Sequence, residues 1–323
     1  MRINDTVGIV IFITLLIISL IIYLSMYSIK LYGVKSEPSY EILKKYLVND
    51  SSLAKSDKPI MWIHNTYELN DRNWLSFGSR NSNELNKPIM YITIDSLIKK
   101  CGKSFRIALI DDNSFNNLIP GWITNLEEVA KPMRDYYRYI GILTLIDIYG
   151  GMNVPPSFLC FKDMNDLYEQ GVIDNKVFVG ESLSKSNEYN VYINNNFIGS
   201  NKNNEDLKHI ISDLETFLLD DQTDEVVFLD KINKYLEKRV INNEINLVSG
   251  KHLGLFDDKN RIINMEDLLQ NTNYNLDKDV VGINIPIDDI IKSLKYEWFS
   301  KLDTNEIIES NTLVAKFIND IYC

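Results

Sequence analysis

The chain is poor in the residues that carry most side-chain catalysis and metal binding. It holds 3 Cys and 3 His in 323 residues. Cys101, Cys160 and Cys323 are odd in number and fall into no zinc-type spacing, so neither a disulfide framework nor a zinc ribbon is legible. They read as buried or unreactive thiols. Positive charge is also short: 34 Lys and Arg stand against 45 Asp and Glu, a net charge of −11. Such a domain repels phosphate backbones, which excludes nucleic acid as the expected partner. No internal repeat, phosphate-binding Gly-rich loop or low-complexity tail is present. Asn-x-Ser/Thr acceptors occur at Asn4 and Asn49 and nowhere in the later chain.

The longest apolar run is Val7 to Tyr27, broken only by Thr14, Ser19 and Ser25, with no charge until Lys30. About 20 apolar residues cross a bilayer as a helix. The run is too long for a cleaved signal and lacks a small-residue cleavage site. The expected organisation is therefore a transmembrane anchor over 1–30, a polar stalk over 31–58 with a short helix at Tyr40 to Leu47, and one domain over 59–323. Lys30, Lys35, Lys44 and Lys45 after the span outnumber Arg2 before it, which leans toward a cytoplasmic domain. The abundance of Asn, Ile and Lys points to an AT-rich genome, such as that of a large DNA virus or a low-GC microbe.

Within the domain, strand-like and helix-like stretches alternate. Pro59 to His64 reads as a buried parallel strand, Pro88 to Cys101 as a helix stopped by Gly102, and Phe105 to Ile110 as a second strand. Asp111-Asp112 at that strand's end reads first as a cap, given Asn113-Ser114, and second as a ligand pair. Asn116 to Trp122 reads as a short helix and turn. Later, Val177 to Gly180, Val191 to Gly199, Ile245 to Val248 and Val280 to Ile285 are strand candidates. Glu205 to Leu219, Val226 to Val240, Ile287 to Leu294 and Asn305 to Tyr322 are helix candidates. The order predicts an α/β sheet. Between strand and helix, Thr66 to Lys87 reads as a polar loop carrying Arg72 and Arg80. Trp298 reads as a core residue or a lid.

The central stretch is Lys131 to Cys160. Apolar residues recur at helical spacing from Tyr136 to Ile146, and Gly150-Gly151 ends the helix because glycine enters left-handed backbone freely. Met152 to Val154 is then a short extended piece, stopped by Pro155-Pro156. Asp135 and Arg138 are three apart and share a helix face. They form either a surface ion pair or a ligand-binding pair, since a guanidinium fits phosphate oxygens well.

This order of Asp-x-x-Arg, apolar helix, Tyr149-Gly150-Gly151 turn and apolar strand resembles the sugar-nucleotide-binding core of a glycosyltransferase group. The group includes capsular-polysaccharide-synthesis proteins, fungal-type initiating mannosyltransferases and the large clostridial glucosylating toxins. The resemblance implies a glycosyltransferase-A-like (Rossmann-like) sheet flanked by helices, after one transmembrane helix. It implies that Asp135 and Arg138 hold a donor sugar and that Trp62 lies against the nucleotide base. It further implies that His64 faces the diphosphate and that Gly150 and Gly151 shape its pocket. Phe197 to Ile211 resembles the group's acceptor-side segment. Many members of the group face the secretory lumen, opposite to the lean of the lysines, so the side of the membrane stays open.

The sequence departs from that pattern twice. The helix carries roughly one extra turn (about 3.6 residues), and Pro155-Pro156-Ser157 stands where the group's metal-binding Asp-x-Asp motif is expected. A divalent metal needs hard, charged oxygen ligands, and this tripeptide offers none. Asp163, Asp166 and Glu181 are the nearby carboxylates. The expectation is a membrane-anchored glycosyltransferase-like protein that binds a nucleotide sugar and acts on an unknown glycan or protein acceptor. The alternative is an inactive protein of the same fold, for instance a viral envelope component. A tethered interaction domain of unrelated α/β fold is the third reading.

Overall fold

The computed structural model describes residues 57–65, 87–130, 133–183, 191–218 and 225–322. The expected membrane span, the stalk helix and the Arg72–Arg80 loop lie outside them. Among the described residues no helix is long and apolar enough to cross a membrane.

The described chain is α/β, with a mixed six-stranded sheet compatible with a Rossmann-like arrangement. It opens with β1 (Ile60–His64), α1 (Lys87–Cys101), β2 (Arg106–Ile110) and the short α2 (Ser114–Leu118). Then come α3 (Met133–Tyr149), β3 (Gly151–Asn153), β4 (Phe158–Cys160), α4 (Asn165–Gly171), β5 (Phe178–Leu183) and β6 (Val191–Ser200). The chain closes with α5 (Glu205–Phe217), α6 (Glu225–Ile241), β7 (Asn246–Val248), α7 (Met265–Leu268), β8 (Gly282–Asn284), α8 (Ile287–Lys292), α9 (Thr304–Glu309) and α10 (Leu313–Tyr322).

Strand order is β2-β1-β3-β6-β5-β7, with β6 alone running against the others. The chain passes from β1 to β2 on one side and then to β3 on the other. The strand order therefore reverses at β1, and in open α/β sheets ligands sit beyond the carboxyl ends at such a reversal.

The strands are apolar on both faces because helices cover both. On β1, Ile60 and Trp62 face the layer of α3, α5 and α6, together with Tyr136, Leu143, Ile210 and Leu236. Met61 and Ile63 face α1, with Leu97 and Phe105. A third cluster joins the closing helices to Leu159 and Ile283 of the small β4–β8 sheet.

The strand expected over Val280 to Ile285 is present as β8 and pairs with β4 in that separate sheet. One expectation is corrected. The helix expected over Asn305 to Tyr322 is two helices, because Thr312 starts a new one by accepting from the N–H of Ala315 at 3.1 Å. β4 and α4 were not expected; three-residue strands carry too little periodicity to read.

The turn from α3 into β3 is the tightest point of the sheet. Gly151 has φ +101, and a Cβ there would lie 1.9 Å from the carbonyl oxygen of Ile60. Neither backbone can yield without breaking the β1–β3 ladder. Gly151→Ala is expected to lower stability by about 3 kcal/mol or more. Gly121→Ala, at φ +79 with nothing within 4 Å, is expected to cost about 1 kcal/mol. Chemical denaturation of the two variants checks the difference.

Candidate functional site

The carboxyl ends of β1 and β2 and the first turns of α3 converge on one guanidinium. Arg138 is 6 % exposed. Its Nε and Nη2 donate to the two carboxylate oxygens of Asp112 at 2.9 and 2.7 Å, a bidentate pair. Its Nη1 donates to Asp135 one turn earlier at 2.7 Å. His64, the last residue of β1, brings Nε2 to 3.0 Å from the same Asp112 oxygen. Its ring stacks on Phe115 of α2 at 5.4 Å, which fixes the imidazole plane.

Local sequence explains each placement. Asp111, not Asp112, caps the turn into α2: its carboxylate accepts from the N–H and the hydroxyl of Ser114 at 2.9 and 2.7 Å. That leaves Asp112 to turn toward α3. Burial alone would raise the Asp112 carboxyl, but hydrogen bonds and charge from His64 and Arg138 outweigh it and hold it well below the usual carboxylate range.

Of the residues expected from sequence, His64, Asp135 and Arg138 are brought together. Asp112, weighed mainly as a cap, is the partner that joins them. Gly150 and Gly151 are not brought to this cluster. They end α3 about 18 Å of helix away from Arg138, at the amino end of β3, where Gly151 pairs with Ser200. Trp62 has no exposed surface. It packs 5.8 Å from the Tyr149 ring and donates its indole N–H to the Gly150 carbonyl at 3.0 Å, so it holds the turn in place. Trp298 is 41 % exposed and meets Phe299 edge-on.

Pro155-Pro156-Ser157 forms a corner between the two sheets. The Pro155 carbonyl accepts from Phe158 N at 3.0 Å and that of Pro156 from the Thr93 hydroxyl at 2.6 Å. Ser157 donates its hydroxyl to Asn284 Oδ1 at 2.8 Å. A divalent cation does not fit these donors: they are neutral, and their oxygens already serve the scaffold. Asp163 cannot swing in, because it accepts from Ser104, which precedes β2 at the opposite edge of the sheet. Glu181 accepts from the Gly250 N–H at 2.6 Å. Among the described residues no group of three or more His, Cys, Asp or Glu is placed to hold a metal ion.

One polar atom near the corner is unsatisfied. Asn153, at the carboxyl end of β3 and 4 % exposed, donates to the Asn196 carbonyl at 2.6 Å, but its Oδ1 has no partner. A buried acceptor left alone costs on the order of 1–3 kcal/mol.

Because the Asp112 carboxyl is depressed in the folded state, its stabilisation is complete above the ordinary carboxylate pKa. It is lost as pH falls through the folded value. Stability is therefore expected to decline below about pH 4, and Asp112→Asn is expected to flatten that decline. Arg138→Ala leaves two carboxylates facing each other and is expected to cost about 3 kcal/mol. Urea unfolding across pH 2–7 checks both.

No protein-family model matches the chain, and no curated protein matches it. The functional reading rests on the chemistry of the site itself.

Proposed function

We propose that the chain is a membrane-anchored, glycosyltransferase-A-like protein that binds a nucleotide sugar at the carboxyl edge of the sheet. The observation that carries this reading is the Asp112–Arg138–Asp135 cluster with His64, built where the strand order reverses. Asp135 is the residue that meets the donor sugar. One of its oxygens is held by Arg138, and the other has no partner among the described residues. A fixed carboxylate with a free oxygen accepts well from sugar hydroxyls.

Arg138 takes a different role from the one its residue type first invites. Its Nε, Nη1 and Nη2 all donate to Asp112 or Asp135, so the guanidinium is already committed to carboxylates. Arg138 therefore positions Asp135 and Asp112, and the sugar, not the diphosphate, faces them. The run Val7 to Tyr27 supplies the anchor.

A second reading, a non-catalytic binding or structural protein of the same fold, is favoured by the Pro155-Pro156-Ser157 corner. Leaving-group stabilisation by a metal has no ligands there. Both readings share the binding site and differ in turnover.

Calorimetric titration of the full chain with uridine and guanosine diphosphate sugars, with and without manganese, separates them. Saturable binding is expected, independent of manganese, and Asp135→Asn is expected to weaken it about tenfold, the loss of one hydrogen bond of roughly 1.4 kcal/mol. Absence of binding to any nucleotide sugar overturns the proposal. Manganese-dependent sugar transfer overturns the non-catalytic reading.

A further inference from the structure

We propose that Cys101 and Cys160 form a disulfide bond when the protein folds in an oxidising compartment, closing a loop that contains Asp112, Asp135 and Arg138 of the candidate site. The two sulfurs lie 3.6 Å apart. Both residues are fully buried as free thiols. Cys101 is the last residue of α1 and Cys160 the last of β4. A disulfide needs its sulfurs at about 2.05 Å, so the side chains must close by roughly 1.5 Å.

Two further contacts hold α1 against the segment that carries Cys160. Thr93 of α1 donates to the Pro156 carbonyl at 2.6 Å, and Ser96, one turn on, accepts from the N–H of Cys160 at 2.8 Å. The sulfurs are the third contact along the same helix face, five residues after Ser96. The bond would span 59 positions of sequence. Within that span lie β2, α3 and β3, and with them Asp112, Asp135 and Arg138.

The chemistry balances with a small disulfide as oxidant. One Cys thiolate attacks oxidised glutathione and releases one glutathione thiolate. The second Cys then attacks the mixed disulfide, forming the S–S bond and releasing the other glutathione. Two thiols are oxidised, one glutathione disulfide is reduced to two thiols, and the protons pass to solvent. In the folded chain this exchange is slow. The hydrogen bond to Cys101, together with burial, pushes the Cys160 thiol up, and no oxidant reaches either sulfur. The bond therefore forms while α1 is still docking, and afterwards it is shielded from reductant. This inference does not depend on what the site binds.

The test uses the full chain with Cys323→Ser, in detergent. It is unfolded in reductant and refolded in a glutathione mixture poised near −180 to −210 mV. It is then denatured without reductant, alkylated and read by mass spectrometry. The expected result is no alkylation, loss of two hydrogens and a linked Cys101–Cys160 peptide. Thermal unfolding of this form is expected roughly 5–10 °C above that of the reduced form. Alkylation of both thiols, or glutathione adducts in place of the link, overturns the proposal. The same assay on chain exported to a bacterial periplasm needs no refolding, and free thiols there overturn it equally.

Discussion

A buried guanidinium is the constraint from which the centre of this fold follows. Arg138 carries its charge into a place with almost no water, which costs several kcal/mol unless opposite charge meets it. Asp112 supplies that charge from the end of β2 and Asp135 from the same helix. The pairing pins the start of α3 against the carboxyl edge of the sheet. Once that end is pinned, the length of α3 decides where the chain turns back, and the turn must fall at Gly150-Gly151. Gly151 then enters the sheet so close to Ile60 that no side chain fits. β3 takes its place between β1 and β6, which completes the reversal of strand order at β1.

The two edges of the sheet consequently do different work. The carboxyl edge collects the groups with unspent hydrogen-bonding capacity: the second oxygen of Asp135, the orphaned oxygen of Asn153 and the imidazole of His64. The amino edge is tied together by internal bonds, although Ser200 Oγ and Asp147 Oδ1 there are also left without partners. There Tyr168 donates to the Ser200 carbonyl, Asp163 holds Ser104, and Asn203 N–H meets the Asp147 carbonyl. Trp62 connects the two regimes. It lies in the middle of β1, yet its indole N–H reaches the Gly150 carbonyl and braces the turn at the far end of α3.

Much of this was legible from residues alone, and the failures have physical reasons. Long elements with clear periods, such as α1, α3, α5 and the buried strands β1 and β2, declare themselves because many apolar positions repeat. β4 and α4 are short, and their identity comes from what they pack against. Asp135 and Arg138 are readable as a pair because a helix puts them on one face. Asp112 is not readable as their partner, since 26 positions separate it from Arg138 and a neighbouring aspartate competes for the capping role. A ligand role for Trp62 comes from the resemblance alone, and a core tryptophan is the equal alternative from its residue type. The packing of Tyr149 and the Gly150 carbonyl around it shows the structural role. The cysteines read from sequence as buried thiols, and Cys101 and Cys160 are buried and free; their contact comes from residues 59 positions apart and has no spacing signal.

The Pro155-Pro156-Ser157 corner ties these threads together. Val154 still donates to the Trp62 carbonyl at 3.0 Å, so the chain leaves β1 only after that bond. Proline suits the next two positions because neither needs to donate an N–H. Ser157 then bonds Asn284 across to the small sheet, and Thr93 secures the corner from α1. A carboxylate at 157 would sit 8 % exposed and face the side-chain amide oxygen of Asn284, an uncompensated charge in a dry place. The three residues thus serve as a joint between the two sheets, and their oxygens are spent on it.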